Sequence, residues 1–200
     1  MTSRHLTISS DDARQTTIVD ELTQIEYHID TPFKWFSRPT TTISKAPCRQ
    51  QDDHSGLNLD SEIIATIEWH ALRATVFHIG NRVVSSRNFI PSREHLSRER
   101  HFIGPDMISY FWKLDTGVPS LQVEGSLELY RDDNSDTCIA SYKRGEVRVF
   151  DTRDPGCLEI TPEGEHMIDM IVITFVYVEK LRMDMEARAR ALASGGTSSP

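Results

Sequence analysis

The stretch SSRNFIPSREHLSRERHF, residues 85–102, concentrates the side chains best suited to hold an anion. Arg87, Arg93, Arg98 and Arg100, with His95 and His101, are only partly offset there by Glu94 and Glu99. A guanidinium presents a planar fork that matches phosphate. Phe89, Ile90, Leu96, Phe102 and Ile103 supply apolar neighbours that could dip into a lipid interface below an anionic head group. Lys113, Lys143 and Arg144 join this candidate lipid or anion set if their strands face the same side. The plainer account is a solvated loop whose charges pair with an acidic surface, since exposed pairs are common and individually weak.

Other chemistry is less complete. In DDNSD, residues 132–136, Asp132, Asn134 and Asp136 take the first, third and fifth places of a calcium loop, but Thr137 replaces the glycine and Lys143 the closing glutamate. A turn explains the same residues. His95 with His101, and His166 with Asp169, fall short of the three or four converging donors zinc requires. There is no nucleophile elbow, phosphate-binding glycine loop or dinucleotide fingerprint, so no catalytic residue, metal or cofactor is assigned and a non-enzymatic protein is expected. Trp69, Tyr110, Trp112 and Tyr142 lie within strand-like runs, where aromatics pack in the core or across strands.

The chain of 200 residues suits one domain large enough to bury a core. With 22 basic and 30 acidic residues its formal charge is -8, which argues against general nucleic-acid binding. Cys48, Cys138 and Cys157 are odd in number and widely spaced, fitting reduced thiols. The opening MTSRHLTISSDDARQ has no apolar signal region, so an intracellular, cytoplasmic protein, peripheral at membranes if it binds lipid, is expected.

The elements that must position these residues are mostly strands. After a flexible segment at 1–15, residues 16–160 read as short β runs between turn signals, about twelve in all. They include 16–20, 25–31, 40–46, 62–71, 74–80, 81–86, 107–115, 120–132, 137–144, 146–151 and 157–160. Residues 47–61 read as a long surface connection, and Gly80-Asn81 as a hairpin turn. In residues 62–71, Ile63, Ala65, Ile67 and Trp69 form the face expected to be buried.

At Thr161 the period changes. Thr161 as N-cap, Pro162 at the first helical position, and Glu163 and Glu165 in the first turn start a helix running to about 192, with a disordered tail at 193–200. Met167 to Val178 is apolar almost all round, with Ile168, Ile171, Val172, Phe175 and Val178 as core positions. Beyond it Val178, Leu181, Met185 and Leu192 keep a stripe. A membrane span needs about 20 apolar residues, whereas the uncharged run from Met170 to Val178 is bracketed by Asp169 and Glu179. A helix apolar on all sides must be surrounded by protein, and a barrel of about twelve strands can hold one along its axis.

This pattern of many short strands followed by one apolar C-terminal helix resembles the tubby C-terminal-like superfamily, which includes the phospholipid scramblases. IATIEWH (64–70), YFWKLD (110–115), CIASYKR (138–144) and MIDMIVITFVYVEKLR (167–182) are similar to an uncharacterised family of mushroom-forming fungi. The resemblance implies a mainly β fold, an antiparallel barrel closed around a central helix, and a fungal source, and it carries over no catalytic residue. Tubby-like proteins bind phosphoinositides through basic residues on the barrel. The expected function is therefore a non-enzymatic binding or scaffold module, with anionic membrane lipid as ligand. A protein interaction module is the alternative, and an enzyme a further one.

Overall fold

In TTIVD the side chains of Thr16, Ile18 and Asp20 are buried while Thr17 and Val19 are not, the period of two that a strand with one covered face must show. The same alternation recurs along the computed structural model, which describes residues 2–33, 38–47, 61–93, 98–115, 126–134, 137–145 and 155–194. Twelve strands result: β1 (Arg4–Ile8), β2 (Thr16–Asp20), β3 (Ile25–Asp30), β4 (Thr40–Pro47), β5 (Glu62–Glu68), β6 (Val76–Ile79), β7 (Arg82–Ser85), β8 (Glu99–Ile103), β9 (Ser109–Leu114), β10 (Leu127–Arg131), β11 (Cys138–Lys143) and β12 (Gly156–Ile160). A short helix, α1 (Ser86–Phe89), follows β7. A 3-10 turn (Pro162–Met167) leads into α2 (Ile168–Ser194).

All twelve strands form one antiparallel sheet in the order β7-β6-β5-β4-β3-β2-β1-β12-β11-β10-β9-β8. Every neighbour in the sheet is a neighbour in sequence except β1 and β12, which pair Arg4 with Ile160 and Leu6 with Leu158. Among the described residues no ladder joins β7 to β8, so the expected barrel is not closed by hydrogen bonds.

The sheet nevertheless surrounds α2. Residues 171–179 of the helix are buried without interruption, which requires protein on every side. Strands from both halves of the sheet supply it. Tyr142 of β11 meets Phe175 edge-on at 4.8 Å, Trp112 of β9 donates its indole N–H to Thr174 Oγ1 at 2.9 Å, and Phe77 of β6 lies 5.2 Å from Tyr177. The expected core positions Ile171, Val172, Phe175 and Val178 are fully enclosed, and Ile168 packs partly buried against the same cluster. At the open side, Phe89 of α1 packs on Phe77 and Ile90 is buried.

Several details depart from the sequence reading. Residues 4–8, expected within a flexible segment, form β1, because Leu6 and Ile8 alternate inward against β12 and β2. Residues 99–103, read as part of an irregular stretch, form β8 against β9. Ile63 is 63% exposed rather than buried: the β4–β5 register passes from Ile43↔Ala65 to Ser44↔Ile63, leaving Ile64 as the extra residue of a bulge and turning Ile63 outward. The helix begins as a 3-10 turn, and Thr161 Oγ1 donates to the Ile139 carbonyl instead of capping it. Gly164 lets that turn approach the sheet closely, since a Cβ there would lie 2.8 Å from Ile160 Cγ2 and 2.9 Å from Ile139 Cγ2. Gly80 turns the β6–β7 hairpin with φ +54°, as its sequence suggested. The expected strand at 146–151 and the leading part of that at 120–132 lie outside the described residues.

Candidate functional site

In an antiparallel meander, successive turns alternate between the two ends of the sheet. The turn after β2, the start of β5, the turns after β6 and β8, and the 3-10 entry to α2 therefore gather at one end. They enclose a cleft of about 580 Å³. Ile25, Ile63, Ile64, Ile79, Met167 and Ile173 give it apolar walls. The bulge in β5 places both Ile63 and Ile64 on its lining.

Its polar groups come from the inward face of the strands and the first turn of α2. Lys45 and Tyr27 are cross-strand partners on β4 and β3. Asp169 accepts from the Tyr27 hydroxyl at 2.6 Å and from Lys45 Nζ at 2.8 and 3.0 Å. Lys45 Nζ also lies 5.7 Å from the centroid of the Tyr27 ring, within range of a cation–π contact. Burial, then the bond to Asp169, pushes the Tyr27 phenol well above its usual value, so Tyr27 stays a neutral donor. Beside this trio Arg4 donates to Asp20 at 3.1 Å and places Nε 3.1 Å from Glu165. The Glu165 carboxylate is the foremost cause raising its guanidinium pKa.

Next to the cleft, Asp106 holds the β8–β9 turn. It accepts from Tyr110 at 2.7 Å and from the Ile108 N–H at 3.1 Å, and meets His166 Nε2 at 3.1 Å. Burial would raise its carboxyl, but these bonds outweigh it and hold the group below the usual range.

The seven basic candidates are scattered. Arg87 on α1 and Arg98 before β8 are exposed. Arg93 is exposed and pairs with Asp132. Arg100 faces inward opposite Trp112, and burial lowers its pKa. Lys113 stands exposed on the outer face opposite Glu99 and Glu128, and Lys143 opposite Cys157. Arg144 reaches Glu179 at 3.0 Å and Glu186 at 3.3 Å at the far end of α2. The strand order brings Arg98, Lys113, Lys143 and Arg144 to that same far end, where Glu99 and Glu128 flank Lys113, and Glu179 and Glu186 hold Arg144.

The remaining sequence candidates resolve locally. Asn134 and Thr137 bond within a turn. His166 and Asp169 face different partners, Asp106 in one case and Tyr27 with Lys45 in the other. Cys138 and Cys157 are free and half-buried, and burial raises both thiols. His95, Asp136 and Cys48 lie outside the described residues. Among the described residues no group of three or more His, Cys, Asp or Glu could hold a metal, and no helix is long and apolar enough to cross a membrane.

The Tyr27–Lys45–Asp169 grouping was not read from the sequence. Its signal was Lys45 sharing parity with the inward Thr41 and Ile43, and Asp169 as the first charge inside the apolar run. Joining them required the β3–β4 register, which no local pattern encodes.

A twelve-stranded antiparallel sheet around one C-terminal helix, with an open cleft at the helix entry, defines a mainly β domain of the helix-filled kind. By sequence the chain belongs to a family of unknown function (DUF6593), whose profile matches residues 11–184, from the loop before β2 to well within α2. Neither the comparison with curated proteins nor that with solved structures found a match.

Proposed function

We propose that this domain is a non-enzymatic binding or scaffold module of tubby-like fold, and that the cleft beside Tyr27, Lys45 and Asp169 is its ligand site. The observation that carries this is the cleft itself. Its volume of about 580 Å³ falls within the range of roughly 300–1,000 Å³ of small-molecule sites, and it joins apolar walls to a few convergent polar groups. The ionisable groups on its floor are engaged with one another, as suits recognition. The tubby-like reading is supported by antiparallel strands packed from both sides on a C-terminal helix, and the fungal source by the strand and helix motifs. An intracellular location is supported by Cys138 and Cys157, which are free among the described residues.

Titration of a panel of neutral, cationic and anionic fragments tests the site. Shifts of the Ile25, Ile64 and Ile79 methyl resonances are expected for at least one class, and a panel that moves none of them removes the cleft as a ligand site.

Anionic phospholipid is a second reading, favoured by Arg87 and Arg98, which are exposed and carry no ion pair among the described residues. Flotation with phosphatidylserine or phosphoinositide vesicles at physiological salt should be lost on Arg87→Glu with Arg98→Glu. Equal flotation of the variant and the unaltered chain would exclude these arginines. If both assays fail, a protein partner becomes the favoured reading.

A further inference from the structure

The cleft holds a cation site that is already filled from within. Tyr27 supplies a ring face and Asp169 a carboxylate, and the group between them is the ammonium of Lys45, at 2.8 and 3.0 Å from the two carboxylate oxygens and 5.7 Å from the ring centroid. An ammonium at the end of a flexible apolar stem is the chemistry this arrangement accepts. The pair is open to solvent, for the Lys45 side chain keeps 28% of its surface and Asp169 keeps 44%. Directly across the ladder from Lys45 stands Glu62, exposed, on the cleft lining, and without an ion partner among the described residues.

The charges of the lining point the same way. Among the described lining residues, Asp20, Glu62, Glu165 and Asp169 face only Arg4 and Lys45, and His166 is turned to Asp106. Arg4 is committed to Asp20 and Glu165. One further cation is therefore accommodated without leaving any positive charge unpaired, whereas an added anion would meet an acidic surplus.

We propose that the cleft binds an amine carried on an apolar body, and that Lys45 is a displaceable plug. The incoming ammonium takes the place between Tyr27 and Asp169, Lys45 swings to Glu62, and the apolar body lies against Ile25, Ile64 and Ile79. This rests on the cleft being the ligand site, and it specifies the ligand class and the gate.

The test is a titration of the full chain with hexylammonium, hexanol and hexanoate, three probes of equal length and different charge, read at the Ile64 and Ile79 methyls and the Tyr27 ring. Hexylammonium should bind about tenfold tighter than hexanol, and hexanoate more weakly than either. Lys45→Met removes the plug and should tighten hexylammonium by about tenfold while leaving hexanol unchanged. Glu62→Gln should weaken hexylammonium about threefold in the otherwise unaltered chain and have no effect when Lys45 is already Met, because the acceptor for Lys45 is then irrelevant. Both substitutions sit at partly or fully exposed side chains, and melting curves of the variants verify that they fold. Equal binding of all three probes, or weaker amine binding by Lys45→Met, overturns the plug while leaving the cleft as a ligand site. Failure of all three probes to shift any lining residue overturns the plug and the reading of the cleft together.

Discussion

Arg182 is the largest charged side chain in the interior, 1% exposed, with its guanidinium bonded to Glu179 at 2.7 Å and to Glu186 at 2.6 Å. Arg144 of the β11–β12 connection reaches the same two carboxylates. The phenol of Tyr142 nearby is pushed up to about 12 by burial and by the Glu179 charge. Removing one member of such a network leaves another buried charge uncompensated, which costs about 3–5 kcal/mol. Arg182→Met is accordingly expected to lower unfolding free energy in urea by about that amount. Arg190→Met, which removes an exposed partner of Glu186, should change it by less than about 1 kcal/mol. A loss below 1 kcal/mol for Arg182→Met would show that the network is not closed as described. The sequence carried this spacing but disguised it. Glu179, Arg182 and Glu186 recur at helical intervals, and the apolar stripe drawn through Val178, Leu181, Met185 and Leu192 competed with them. Leu192 is 80% exposed, while Val178 is enclosed and Leu181 packs against the core. Glu179, Arg182 and Glu186 are buried beside them because Arg144 arrives from the sheet to join their network.

At the scale of elements, the strands with clear alternation were legible. Thr16–Asp20, Ile25–Asp30 and Cys138–Lys143 stand within a residue or so of their expected limits, since each buries one face and exposes the other. The nine-residue burial of α2 was legible for the converse reason, a run with no polar face. β1 and β8 were not. In β1, Arg4 points inward to Asp20 and Glu165, so a charge occupies a core parity. In β8 the rule fails on both faces. Arg100 points inward, and the outward His101 is 6% exposed, stacked on Phe111 at 5.3 Å and bonded through its backbone N–H to the Pro91 carbonyl. Chain packed over the outside of a strand erases its polar face, and no single-strand pattern records that. The basic stretch at 85–102 was thus one charge cluster in sequence but a helix, a connection and a strand in space. The cleft was invisible for a related reason: it is lined by turns whose common end follows from strand order.

At the scale of the molecule, the meander has, among the described residues, one long-range closure, between β1 and β12, and one opening, between β7 and β8. Both halves of the sheet meet on α2: Trp69 and Phe77 contact Tyr177 from one, and Trp112 bonds to Thr174 from the other. The helix holds the halves together where hydrogen bonds do not, and its entry end forms the cleft floor through Asp169. The fold and the proposed site therefore depend on one claim, that α2 is enclosed by both halves of the sheet. Backbone amide hydrogen exchange tests it most directly. If α2 is the core, the amides of residues 171–182 should exchange only through global unfolding, as slowly as those of β11 and β12, while residues 187–194 and the edge strand β7 exchange through local opening. Exchange of residues 171–182 as fast as that of residues 187–194 would contradict it, and would mean a helix lying on the sheet instead of inside it.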